Sequence, residues 1–91
     1  MGLKVLKTAT AGTLESSDIM ISITPAEKNV IEIESAVGMV FGDTIRTCIE
    51  AKLAEMKVQG AKVFAQDKGA RDCVINARME TALIRASKES A

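Results

Sequence analysis

Residues 19–35 read I-M-I-S-I-T-P-A-E-K-N-V-I-E-I-E-S, two runs that alternate apolar and polar positions around a proline-bearing break. In the first run Ile19, Ile21 and Ile23 alternate with Met20 and Ser22, the period of a half-buried strand. In the second, Ile31 and Ile33 alternate with Glu32 and Glu34, which places the two acids on the wet face. Pro25 has no N–H to give a ladder and favours a turn. Two alternating runs joined by a short loop predict an antiparallel hairpin.

Upstream, Leu3-Lys4-Val5-Leu6-Lys7 reads as a short edge strand, followed by the small, polar run Thr8-Ala9-Thr10-Ala11-Gly12-Thr13. Downstream, from about Phe41, the period becomes helical. Phe41, Ile45, Ile49, Leu53 and Met56 share one stripe, with Arg46, Glu50 and Lys57 elsewhere on the helix. Asp43 suits the positive end of the helix dipole and the capping position, and Gly60 is the expected stop. Ala61-Lys62-Val63-Phe64-Ala65-Gln66 returns to strand alternation, and Asp67-Lys68-Gly69-Ala70 is a turn. A second helix follows to about Ser87, with Asp72 in its first turn and Ile75, Met79, Ala82, Leu83 and Ala86 on one side. The prediction is an α+β fold: a small two-layer sandwich, antiparallel hairpin followed by helix, strand and helix, with the helices on one face of the sheet. Residues 1–91 are expected to form one domain, frayed only over the last four.

Composition narrows the function. Apolar residues make up 47% of the 91, yet only Phe41 and Phe64 are aromatic, so the core must be aliphatic. Twelve basic and twelve acidic side chains balance, which argues against nucleic-acid and membrane-surface partners. No apolar run is long enough to span a bilayer and no signal-peptide pattern is present, so a cytoplasmic location is expected. The absence of histidine removes the usual general base, nucleophile activator and metal ligand. Cys48 and Cys73 are too few and too far apart for a metal or disulfide framework.

The remaining candidates are weak one by one. Cys73 lies at a helix start beside Arg71, where a thiol pKa would fall, but it has no orienting partner and is expected to be a partly buried structural cysteine. Cys48, next to the first helical stripe, is expected to be structural as well. Glu15 and Asp18 flank a serine pair, and Glu32 and Glu34 share a strand face; no spacing guarantees that either pair converges. Lys68-Gly69-Ala70-Arg71 has the form of an anion-binding turn before a helix, although a simple turn accounts for it. Ser16 and Ser17, in Gly12-Thr13-Leu14-Glu15-Ser16-Ser17-Asp18, read on pattern alone as a turn ahead of a strand sooner than as a functional serine, and the same stretch permits an exposed hydroxyl that another enzyme, bringing its own base, modifies.

Three blocks in order, Gly-Thr-Leu-Glu-Ser at 12–16, Phe41-Gly42-Asp43, and Asp67-Lys68-Gly69-Ala70 leading to Asp72-Cys73, resemble the acyl carrier proteins of citrate lyase, the gamma chains of that complex. The likeness runs over about residues 10–87. It implies a carrier that is not itself an enzyme and that serves citrate fermentation. It also implies a phosphoribosyl-dephospho-coenzyme A group bound through a phosphodiester to the serine of the first block, which is Ser16, and no metal. The family commonly has glycine next, where this chain has Ser17, so Ser17 stands as the alternative. The implied partners are the citrate lyase alpha and beta chains and a prosthetic-group transferase. The alpha chain would exchange acetyl for citryl on the group's thiol, and the beta chain would cleave the citryl thioester to oxaloacetate. The carrier subunit of malonate decarboxylase resembles the chain less well in the later block. A non-catalytic regulatory or assembly module and a small thiol enzyme built on Cys73 are the rivals from other classes.

Overall fold

The structure is a computed structural model that describes residues 2–35 and 42–88. Its elements run β1 (Ala9–Gly12), β2 (Ile19–Pro25), β3 (Val30–Ser35), α1 (Gly42–Glu55), β4 (Ala61–Asp67) and α2 (Asp72–Ser87). The fold is α+β: four strands in the order β1-β2-β4-β3, with both helices packed on one side.

The strand order corrects the expected hairpin. β2 and β3 do not pair; β4 lies between them, antiparallel to β2 and parallel to β3. Composition explains the choice. Ala61, Val63 and Ala65 of β4 are fully buried, whereas β3 exposes Glu32 and Glu34 and suits an edge. The loop of residues 26–29 is also long enough to step over one strand. Four residues reach about 13 Å when extended, against about 9.6 Å for two strand spacings. It is held where it crosses the start of β4. The Asn29 amide donates to the Val58 carbonyl at 2.9 Å, its Oδ1 accepts from the Ala61 N–H at 3.0 Å, and the Ala26 N–H donates to the Gly60 carbonyl at 2.9 Å. Gly60 sits at φ 81, and a Cβ there would lie 2.4 Å from the Ala26 carbonyl oxygen. The parallel β3–β4 pair is then joined through α1, as a parallel pair requires.

The front strand is displaced. Residues 3–7 form no strand; the Leu6 and Lys7 N–H groups donate to the Ala86 carbonyl at the end of α2, and Val5 is buried beneath them. The strand forms instead in the small-residue run at Ala9–Gly12, a true hairpin partner of β2, where Ala11 is buried against α2. Small side chains there let the helix approach closely.

Ile19, Ile21 and Ile23 point from β2 into the core with Val63 and Ala65, and meet Ile45, Ile49 and Leu53 of α1 and Ile75, Met79, Ala82, Leu83 and Ala86 of α2. The expected inner face of α2 is the observed one. Phe41 lies outside the described residues. Asp43 sits inside the first turn of α1 rather than ahead of it. The helix ends at Glu55, earlier than Gly60. Lys57, at φ 54, adopts the left-handed conformation, its N–H donates to the Ala54 carbonyl and that of Val58 to the Leu53 carbonyl. That is the Schellman arrangement with lysine where glycine is usual, sealed by contact between buried Val58 and Leu53.

Candidate functional site

The serines occupy the loop of residues 13–18 that joins β1 to β2. Gly12 begins it at φ 97, where an added Cβ would lie 1.8 Å from the Ile19 carbonyl oxygen, so only glycine fits this close approach. The Asp18 N–H donates to the Glu15 carbonyl at 3.1 Å, closing a four-residue turn with Ser16 and Ser17 in the centre. Ser17, at φ 67 in the third position of the turn, takes the conformation that glycine adopts without steric cost. Ser16 and Ser17 are both exposed.

Two struts carry this turn. On one side it continues the β2–β4 ladder: Ser17 N–H donates to the Lys68 carbonyl at 2.8 Å, and Lys68 N–H donates to the Asp18 carbonyl at 2.9 Å. Below it, the nearly buried Asp67 shapes the 67–70 turn, its carboxylate accepting from the Ala70 N–H at 2.9 Å and from the Ser35 hydroxyl at 3.3 Å. On the other side Arg78 of α2 grips Asp18 through two bonds, Nε to Oδ1 at 3.1 Å and Nη2 to Oδ2 at 2.9 Å. The same carboxylate accepts from the Thr13 hydroxyl at 2.7 Å and the Ile19 N–H at 2.7 Å. Four donors around a side chain only 13% exposed hold its carboxyl far below the usual carboxylate range, the Arg78 hydrogen bonds most and the Thr13 hydroxyl next.

The other sequence candidates are scattered. Asp18 is a strut, and Glu15 next to it in the loop is exposed, so the two acids do different things. Glu32 pairs with Lys62 at 3.4 Å on the sheet face away from the helices, and Glu34 is exposed there too. Cys73 is exposed, not partly buried as expected, because the first turn of α2 directs it outward while Ile75 and Met79 face the core. Cys48 is half-buried, and burial, with Asp72 nearby, pushes its thiol pKa up. In the Lys68–Arg71 stretch the Ala70 N–H is already taken by Asp67, in keeping with a plain turn. Among the described residues no group of three His, Cys, Asp or Glu side chains is placed to hold a metal, and no helix is long and apolar enough to cross a membrane.

Sequence reasoning missed Arg78, Asp67 and the role of Thr13. Thr13 and Asp18 are five apart around the serines, a spacing that hints at a side-chain bridge. Arg78 is sixty residues from its partner, and nothing local points to it.

Comparison with known proteins places the chain. The family model described as ACP, malonate decarboxylase delta subunit (MdcD), matches residues 6–86. The citrate lyase acyl carrier protein of Haemophilus ducreyi is 47% identical over 88 residues, spanning 97% of this chain and 93% of that one. That of Lacticaseibacillus casei is 49% identical over 86 residues, spanning 93% and 85%. The fold is shared with a chain in the crystal structure of a Pseudomonas malonate decarboxylase hetero-tetramer in complex with malonate, at a TM-score of 0.77 and 16% identity over 93% of this chain and 89% of that one. Near-complete coverage at close to half identity leaves one conclusion: this chain belongs to the family of the citrate lyase acyl carrier proteins.

Proposed function

We propose that this chain is the acyl carrier of a citrate lyase and that the Ser16 hydroxyl is the attachment point of a phosphoribosyl-dephospho-coenzyme A group. The observation that carries the reading is the position of Ser16 at the exposed apex of a turn braced on both flanks. The residues present fit such a group. The hydroxyl is open to solvent, its turn is anchored to β4 and α2, and among the described residues a Cβ added at Gly69 would meet nothing closer than the Ser17 Cα at 4.0 Å. Ser17 is the poorer candidate because its own backbone is committed: it holds a left-handed φ and its N–H is bonded to Lys68. Glycine at that position in relatives would relieve the same constraint.

When bound, the group supplies a thiol at the end of a long arm, on which an acyl chain is carried as a thioester. This chain's own residues do the holding. Asp18, Thr13 and Arg78 keep the loop in shape, and the aliphatic core makes the domain a rigid handle. Tethering raises the effective concentration of the acyl group at each partner site, which a free acyl thioester would lack. The alpha and beta chains supply the acid–base chemistry, and all three work in the cytoplasm. A second reading, the carrier of a malonate decarboxylase, draws support from the description of the matching family model; identities of 42–49% to citrate lyase carriers favour the first.

Ser16→Ala tests the reading directly. The variant should fold to within about 0.5 kcal/mol of the parent, as exposed substitutions do, take up no prosthetic group from the transferase, and give an inactive reconstituted complex. A fully active Ser16→Ala complex would sink the assignment.

A further inference from the structure

Resting on the reading of Ser16 as the attachment point, we propose that Arg78 is a positioning residue for the attachment reaction: by its two bonds to Asp18 it holds the 13–18 loop in the shape that offers the Ser16 hydroxyl to the modifying transferase. Residues 13–17 are all exposed, Leu14 to 48%, so no apolar packing fixes the loop. Ordering each residue costs backbone entropy, which hydrogen bonds must offset here. The ladder bonds to Lys68 hold only the Ser17–Asp18 side. The Thr13 side depends on the Asp18 carboxylate, and that carboxylate is oriented by Arg78. Arg78 can do this because its backbone lies between the buried Ile75 and Met79, so the core of α2 fixes where the guanidinium starts. Its planar fork fits both carboxylate oxygens, which a lysine ammonium does not.

Attachment makes the demand for position concrete. The Ser16 Oγ–phosphorus bond forms while the phosphoanhydride P–O bond of an activated phosphate donor breaks. The leaving phosphate or pyrophosphate keeps the electron pair, and the serine proton passes to a base of the transferase. The oxygen must stand about 3–3.5 Å from phosphorus and in line with the leaving group. A loop that holds the competent shape only a fraction of the time raises the apparent KM by the inverse of that fraction and leaves kcat alone.

Arg85 supplies the control. It lies two turns further along α2 and donates from Nη1 to the Thr10 carbonyl at 2.9 Å, joining helix to β1 without touching Asp18. Purified transferase and its phosphoanhydride donor would be given the apo forms of the parent chain, Arg78→Ala, Arg78→Lys, Asp18→Asn and Arg85→Ala. Intact mass would follow modification, urea titration would verify folding, and hydrogen exchange would be read at the Glu15 amide, which donates to the Thr13 hydroxyl at 3.2 Å, and at the Asp18 amide, which closes the turn. Arg78→Ala should raise KM about tenfold with kcat within about twofold, as expected for a loop competent about a tenth of the time, and should speed exchange at both amides. Arg78→Lys, which keeps the stem and charge, should fall between it and the parent, and carries the test if Arg78→Ala does not fold. Asp18→Asn should raise KM in the same direction, and Arg85→Ala should match the parent. An unchanged KM in Arg78→Ala or Arg78→Lys, or an equal rise in Arg85→Ala, would overturn the positioning role. A parent chain modified elsewhere than Ser16 would instead overturn the reading of Ser16 as the attachment point on which it rests.

Discussion

β2 is bounded by two short loops, and they are fastened in different ways. The 26–29 loop at its C-terminal end is held by a neutral amide, Asn29, which bonds two backbone groups at the start of β4. The 13–18 loop at its N-terminal end is held by a charged pair that reaches across to another element, Asp18 to Arg78. The first fastening decides topology, because it keeps β3 on the far side of β4. The second decides display, because it shapes an exposed turn that the core does not need. Damage to the first should therefore appear as lost stability, and damage to the second chiefly as lost presentation.

The largest stability effect belongs where backbone meets backbone. Gly12→Ala would force a Cβ into the Ile19 carbonyl at a positive φ, and should cost about 3 kcal/mol in a urea titration while disturbing the serine loop as well. Asn29→Ala leaves the Val58 carbonyl and the Ala61 N–H without their partner, for a loss of about 2 kcal/mol; modification of the serine loop should be unaffected. If Asn29→Ala instead blocked modification, the separation of the two loops would fail.

The charged loop has a pH signature that the neutral one lacks. The folded state lowers the Asp18 pKa, so its contribution is present above the unfolded carboxyl value, near 4. As pH falls from about 5 through the lower folded value that contribution is lost. The stability gap between the parent chain and Asp18→Asn should narrow steadily on acidification, while the gap to Asn29→Ala stays level. Urea titrations of the three chains from pH 7 to 2 would check it; a gap that widened on acidification would contradict the ion-pair account.

The smallest effects are gains. Ser17→Gly and Lys57→Gly each relieve a side chain at positive φ, and each should raise stability by about 0.5–1 kcal/mol as seen by thermal melting. Ser17→Gly should remain a full substrate for the transferase, which separates the strain at this position from the chemistry at its neighbour.

What the sequence displayed was local. The Ile19, Ile21 and Ile23 alternation, and the α2 face from Ile75 to Ala86, are short-range periods that burial preserves. Strand order was hidden because Asn29, which pins the crossing loop, looks like any turn residue. The front strand was misplaced because Ala9 and Ala11 carry little apolar signal, although the close approach of α2 favours them over Leu3 and Leu6. Lys57 replaces the glycine that would have marked the end of α1. At the site, the Gly-Thr-Leu-Glu-Ser block was visible as sequence, but Arg78, the residue that braces it, was joined to it only by the fold.

Whether Ser16 carries the group is read out by peptide fragmentation across residues 13–20 of the chain purified with its maturation enzymes. One added phosphoribosyl-dephospho-coenzyme A mass is expected, with every fragment that contains Ser16 shifted and every fragment that contains Ser17 without Ser16 unshifted. The added mass on Ser17, or none where another citrate lyase carrier is modified under the same conditions, would contradict that assignment.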